Sequence, residues 1–182
     1  VGSEMCIRDR VSALDSKFSI GASSGQLAAL STKQAVALDV KVIKALSASQ
    51  LDAMQTDATT ALSAEQLGAL SSAAWAGLGN TELSALGTTQ VAGLGANAML
   101  GLEASKFSAL ASNQLRALQS NAILALKGTQ VATLDANDVK ALYAQDANDM
   151  QALTSAAASG LTTANITGLS TTQFDSILVG TI

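Results

Sequence analysis

The segment Leu169-Ser170-Thr171-Thr172-Gln173-Phe174 carries a complete signal for the start of a helix. A serine followed three residues later by a glutamine forms a capping box. The serine side chain accepts a hydrogen bond from the backbone N–H of Gln173, and the glutamine side chain accepts one from the N–H of Ser170. The flanking Leu169 and Phe174 stand where two apolar side chains pack together as a hydrophobic staple. The segment therefore predicts a helix capped by Ser170.

The same signal recurs every eight residues along most of the chain. Fifteen octads fill residues 23–142 without a gap, three residues intervene at 143–145, and four more octads fill 146–177. Residues 11–22 hold a degenerate first repeat, and 178–182 form a truncated or terminal tail. We number the octad positions from one to eight. Leu occupies position eight in seventeen of the nineteen octads, and position five is apolar in all but one. These two positions are predicted to face a core, since half of the charged residues in the octads stand at positions three and six and none stands at five or eight.

The octads are predicted to be separate short helices and not parts of one long helix. Eight residues advance an α-helix by about 80° beyond two full turns, so the leucines would spread around a continuous helix. Each octad also carries its own start signal, which implies a corner at positions seven, eight and one. Position seven is always small, and glycine there suits a left-handed corner residue. The glycines concerned are Gly77, Gly93, Gly101, Gly160 and Gly168.

Helices of this length are not stable alone, so the octads are predicted to stack into a solenoid with a continuous interior. Ala at position four precedes a large apolar residue at Ala74, Ala98 and Ala122, which are 24 residues apart. This spacing indicates three octads per coil, although Ala58 breaks it and two per coil is the alternative. The competing fold is a β-solenoid. Ala and Leu favour helix, and the octads lack the alternation of a strand, so an all-α solenoid is the prediction.

The composition offers little to a catalytic mechanism. Residues 11–182 contain no His, Cys or Pro, and they hold eight Lys or Arg against twelve Asp or Glu. Without His, the commonest general base and metal ligand is absent, and a serine nucleophile would lack an activating base. The position-one serines are interpreted as helix caps. We expect a protein that is not an enzyme and has no cofactor.

The sequence also disfavours two classes of partner, nucleic acid and the membrane interior. The basic residues are scattered and not clustered, which disfavours nucleic acid. No apolar run approaches the ~18 residues that a transmembrane helix needs. We therefore expect neither nucleic-acid binding nor membrane insertion of this segment.

Three groups of residues are candidate sites. Two acidic stretches, Asp135 to Asp138 and Asp146 to Asp149, supply oxygen ligands of the kind that calcium prefers, but they lack a calcium-loop pattern and are interpreted as caps. Thr pairs at 88–89 and 171–172 suggest an ice-binding face, but position two is too mixed for a threonine lattice. The aromatic residues at position five are predicted to be core; these are Trp75, Phe107 and Phe174.

Residues 1–10, VGSEMCIRDR, differ from the rest of the chain and contain its only cysteine, Cys6. All ten match the translation of a tagmentation adapter used in sequencing libraries, so this segment is set aside as non-native. We expect the chain to be a fragment from a metagenomic or draft assembly whose true N-terminus is missing.

The octads resemble repeat arrays of very long bacterial surface or secreted proteins, often labelled adhesin-like or haem-utilisation-like. The resemblance rests on motifs such as LSAEQLGAL at 62–70, LGTTQVAGL at 86–94 and LSTTQ at 169–173, and it spans about residues 15–177. It implies an extracellular or cell-surface stalk or spacer whose partners are neighbouring repeats of the same longer chain and other surface proteins. The alternative is an interaction or adhesion module that binds through the outer face, at positions two, three and six.

Overall fold

The structure, a computed structural model, describes residues 21–142, 154–167, 169–171 and 173–175. Within these ranges it contains seventeen helices of four to seven residues and no strand. The prediction of an all-α solenoid is confirmed, and the β-solenoid alternative is wrong. The helices are α1 (Ser24–Ala28), α2 (Thr32–Val36), α3 (Val40–Lys44), α4 (Ala48–Asp52), α5 (Thr56–Thr60), α6 (Ala64–Ala69), α7 (Ser72–Trp75), α8 (Asn80–Ala85), α9 (Thr88–Ala92), α10 (Ala96–Gly101), α11 (Ala104–Phe107), α12 (Ser112–Arg116), α13 (Ser120–Ile123), α14 (Gly128–Val131), α15 (Ala136–Leu142), α16 (Ser155–Ala158) and α17 (Thr163–Ile166).

Every one of these helices begins at position two of its octad, so the residue at position one is the N-cap. In the octad at 63–70, the Ser63 hydroxyl oxygen accepts from the N–H of Gln66 at 3.2 Å, and Gln66 Oε1 accepts from the N–H of Ser63 at 2.9 Å. The predicted capping box is therefore formed. The same two bonds recur where Ser or Thr at position one is followed by Gln or Asn at position four; these pairs are Ser23–Gln26, Ser31–Gln34, Ser47–Gln50, Thr162–Asn165 and Ser170–Gln173.

The helices stack with three octads per coil. The most extensive contacts join helices three octads apart, as α7 with α10 and α10 with α13. Ala74, Ala98 and Ala122 therefore lie on the same side of successive coils, as their spacing predicted. The alternative of two octads per coil is wrong.

The register of the octads continues across residues 143–145, which themselves lie outside the described residues. Helix α14 contacts α16, and α15 contacts α17, so octads three apart still pack together. Asn165 Nδ2 donates to the carbonyl of Val131, 34 residues earlier. The corresponding bond between Gln66 and Ala35 spans 31 residues. The sequence separation between paired octads is thus three residues longer across 143–145, and the described octads on either side remain paired.

The interior is built from positions five and eight. Every position-five residue from Leu27 to Val139 is buried, including the polar Thr59, and so is every position-eight residue from Leu38 to Leu142. Trp75 and Phe107 are fully buried, as predicted.

The core prediction for Phe174 is wrong, because this side chain is 40% exposed. A position-five side chain becomes buried when coils lie on both sides of it. Phe174 belongs to the last octad, and the described residues include no coil beyond it.

The corners do not use left-handed residues, so that part of the prediction is wrong. No described residue, glycine included, has a positive φ. Position seven is right-handed helical, as at Gly93 with φ −82° and ψ −6°, and position eight is extended, as at Leu86 with φ −64° and ψ 134°. The chain turns by following a tight last helical turn with extended residues at positions eight and one. Gly168 lies outside the described residues.

Position seven is small because adjacent coils meet there. A Cβ built on Gly101 would lie 2.1 Å from the carbonyl oxygen of Ser72, and one on Gly77 would lie 2.0 Å from that of Ala48. Both neighbours stand at position two of the octad in the preceding coil. These glycines contact the backbone of the preceding coil, so even a methyl group at either position would push the two coils apart.

None of the helices in the described part of the chain is long and apolar enough to cross a lipid bilayer.

Candidate functional surface

Position four is where one coil is hydrogen-bonded to the next. Gln66 is 4% exposed, and its Nε2 donates to the carbonyl of Leu38 at 2.8 Å and to that of Ala35 at 3.2 Å. These carbonyls belong to the last turn and corner of α2, and that of Ala35 also accepts from the backbone N–H of Leu38 at 3.2 Å. One glutamine therefore caps its own helix through Oε1 and the end of a helix in the preceding coil through Nε2.

The same arrangement repeats along the solenoid. Gln114 donates to the carbonyls of Leu83 and Leu86 at 2.8 and 2.7 Å. Gln130, which is fully buried, donates to those of Met99 and Leu102, both at 2.8 Å. Each bond joins residues 28 or 31 positions apart. These polar side chains are occupied in holding the coils together, so they are not available for chemistry.

Acidic residues at position four make the opposite kind of bond. Glu82 Oε1 accepts from the Thr56 hydroxyl at 2.6 Å, and Asp138 Oδ1 accepts from the Ser112 hydroxyl at 2.7 Å. In both cases the donor is at position two of the octad in the preceding coil. An ionised carboxylate cannot donate to a carbonyl. In both octads the preceding coil instead supplies a hydroxyl group that donates to the carboxylate.

The interpretation of Asp135 as a cap is confirmed, because its Oδ1 accepts from the N–H of Asp138 at 2.8 Å. The second acidic stretch, 146–149, lies outside the described residues. Within the described ranges, no three His, Cys, Asp or Glu side chains are grouped so that they could hold a metal ion. The geometry gives Asp135 and Asp138 structural partners.

Three octads per coil give the solenoid three outer faces, each exposing position three and most of position six, whereas position two is half-buried in many octads. Face A comprises the octads that begin at 23, 47, 71, 95, 119 and 170; face B those at 31, 55, 79, 103, 127 and 154; and face C those at 39, 63, 87, 111, 135 and 162. The three faces differ sharply in charge.

Between residues 23 and 142, face A carries one charged residue, Asp52, and its octads at 71–78, 95–102 and 119–126 carry none; the octad that begins at 170 carries Asp175. In the same stretch of chain, 23–142, the other faces carry both signs in mixture. Face B has Lys33, Asp57, Glu82, Glu103, Lys106 and Lys127, and face C has Asp39, Lys41, Lys44, Glu65, Arg116, Asp135, Asp138 and Lys140.

Face A also presents two exposed leucines. Leu100 and Leu124 are each 53% exposed and occupy position six in neighbouring coils. Ala76 stands at the same position in the coil before them and is also exposed. Single exposed apolar residues are ordinary, but a pair stacked on an uncharged face forms a patch. Sequence reasoning did not single out these leucines; grouping position-six residues by every third octad would have found them.

A shallow open depression of about 500 Å³ lies on face C, lined by Thr88, Ser112, Asn113, Arg116 and Ala117. The Ser112 hydroxyl already donates to Asp138, and Arg116 is the only ionisable residue in the lining. The depression therefore offers one guanidinium and a few polar groups, with no base beside a nucleophile.

The threonine pair 88–89 lies on face C without a lattice around it. The equivalent positions in the adjacent coils hold Ala64 and Glu65 on one side and Ser112 and Asn113 on the other. Of the second pair, Thr172 is outside the described residues.

No protein-family model, curated protein or solved structure matches this chain.

Proposed function

We propose that the chain is a non-catalytic structural spacer, a stalk segment of a larger bacterial surface or secreted protein. The observation that carries this proposal is the position-four ladder. Buried Gln66, Gln114 and Gln130 each tie their helix to the coil before it, and positions five and eight form a continuous core between Leu27 and Leu142. Such a molecule lengthens by a constant amount with each coil, as a spacer requires. The bacterial and extracellular parts of the proposal rest on the resemblance of the octads to repeat arrays of that kind.

The mixed charges on faces B and C also support the spacer role. The basic and acidic side chains interspersed on these two faces keep them hydrated and give them no single-sign field that would attract a charged ligand. The ionisable side chains that are partly buried, such as Glu82 and Asp138, are occupied by hydroxyl donors of the preceding coil.

Duplication of one coil tests the spacer role. We expect a second copy of residues 87–110, inserted after Leu110, to preserve the face of every later octad. Small-angle X-ray scattering should then show a longer maximum dimension, with stability unchanged or raised. The matched control duplicates residues 87–106, which shifts positions five and eight out of register. A folded 24-residue insertion variant that is no longer than the parent would contradict the proposal.

The cellular role is tested by sequencing the gene around this chain. A secretion signal and further octads in the flanking sequence are expected. A short cytosolic reading frame with a catalytic domain would overturn the proposal.

A second candidate function is an interaction module, and face A is the observation that favours it. A spacer alone has no need to keep one face free of charge over three successive coils or to expose Leu100 and Leu124 there. The two functions are compatible, because a stalk can also bind a neighbour along its length.

A further inference from the structure

We propose that two copies of this chain associate side by side and antiparallel through face A, with Leu100 of one copy against Leu124 of the other. The inference deepens the interaction role of face A and does not depend on the spacer role.

The first argument concerns what face A can bind. A charged partner surface would lose hydration against the uncharged octads at 71–78, 95–102 and 119–126. The ammonium groups of Lys106 and Lys127 beside these octads already donate to the carbonyls of Ala76 and Leu100, so such a partner gains little opposite charge in return. A surface of the same composition loses little hydration free energy, because polar Ser and Asn then contact polar side chains and apolar Ala and Leu contact apolar ones. Face A of a second copy has this uncharged composition and is present at the same concentration.

The second argument fixes the direction. Leu100 and Leu124 are one coil apart and equally exposed, at 53% each. A twofold axis that crosses face A midway between them places each leucine opposite the other leucine of the partner copy. The interface is then isologous and closes as a dimer.

The third argument comes from the edge of face A. Glu103 and Lys127 both stand at position one, at the corner between faces A and B, in neighbouring coils. Lys127 Nζ lies against the edge of face A, since it donates to the carbonyl of Leu100 at 2.7 Å. The same twofold axis sets Glu103 of each copy opposite Lys127 of the other. A parallel pair would instead bring this corner against the corner between faces C and A, where Gly95 and Gln119 stand at position one and offer no charge to Glu103 or Lys127.

Sedimentation velocity of the full chain over a range of concentrations tests the association. We expect a concentration-dependent dimer, and we expect the double substitution Leu100→Lys with Leu124→Lys to raise the dissociation constant by about a hundredfold or more. The matched control is Val36→Lys, which changes a 47% exposed apolar residue at position six of face B and should leave the constant unchanged. Circular dichroism of each variant checks that the helices are retained.

Charge reversal tests the direction. Glu103→Lys alone and Lys127→Glu alone should each weaken the dimer, and the two together in one chain should restore it. A chain that stays monomeric at all concentrations, a dimer unaffected by the paired leucine substitutions, or a double charge reversal that does not restore association would each overturn the proposal. None of these outcomes bears on whether an added coil lengthens the rod, so failure here is distinguishable from failure of the spacer role.

Discussion

The side-chain amide of Gln66 donates to the backbone carbonyl of Leu38, 28 residues earlier in the chain. Its Oε1 simultaneously accepts from the N–H of Ser63. A glutamate could replace only the second of these bonds, because a carboxylate has no proton to donate at neutral pH. This explains why Gln outnumbers Glu at position four by eight to one.

Gln66→Glu is therefore expected to be strongly destabilising. The substitution keeps the cap on Ser63 but places a buried carboxylate against the carbonyl oxygens of Leu38 and Ala35, at a cost of about 3 kcal/mol in the free energy of unfolding. The measurement is denaturant unfolding followed by the fluorescence of Trp75, the only tryptophan, which is fully buried. The control is Gln26→Glu, at an exposed position with the same cap bond. Equal losses for both variants would contradict the role assigned to Nε2.

Gly101→Ala is expected to destabilise the solenoid by about 2 kcal/mol or more, because the new methyl group meets backbone. Its Cβ would lie 2.1 Å from the carbonyl oxygen of Ser72 and 2.7 Å from Cβ of Trp75. The control is Gly25→Ala inside α1, where the nearest atom is 4.0 Å away. This second variant should gain about 0.5–1 kcal/mol, because alanine favours helix. Thermal melts of both variants provide the comparison, and a neutral Gly101→Ala would argue against close contact of the coils.

Ala111→Ser is expected to stabilise the chain. Gln114 Oε1 already accepts from the N–H of Ala111 at 2.8 Å, so half of the capping box is present. A serine hydroxyl would complete it by accepting from the N–H of Gln114, with a gain of about 1 kcal/mol in unfolding free energy. The reciprocal change, Ser63→Ala, should lose a similar amount. Chemical denaturation measures both, and the prediction fails if the two changes have the same sign.

Calcium is expected to leave the melting temperature unchanged, and so is its removal by a chelator. Asp135 acts as an N-cap, and Asp138 accepts from Ser112, so both carboxylates already have partners. Asp135→Asn should retain stability, because asparagine caps as well as aspartate, and Asp135→Ala should lose about 1 kcal/mol. A melting temperature that rises with added calcium and no longer does so in Asp135→Asn would restore the calcium interpretation.

The sequence was sufficient to predict the helices, their caps and the core, since each of these depends on residues within one octad. Ser63 and Gln66 are three residues apart, and Leu67 and Leu70 follow directly. The number of octads per coil could be inferred from Ala74, Ala98 and Ala122, because a stacked column repeats every third octad.

What could not be predicted depends on contact between coils. The donor role of Gln66 Nε2 requires knowing that Leu38 lies beneath it. The prediction that glycine at position seven serves a left-handed corner is wrong, because the clash at Gly101 involves the backbone of Ser72 and not the φ angle of the glycine itself. The patch on face A was missed because its two leucines are separated by 24 residues and become neighbours only in the folded chain.

Three octads per coil also set a rule for how a gene of this kind can change length. Repetitive DNA gains and loses units by replication slippage. An event that adds or removes three octads leaves each later residue on the same side of the solenoid, so that Leu100 and Leu124 stay on one side. An event of one octad preserves the core but rotates all later sequence by one side. Natural variants that differ by multiples of three octads would therefore keep an intact uncharged side, and the others would divide it between two sides.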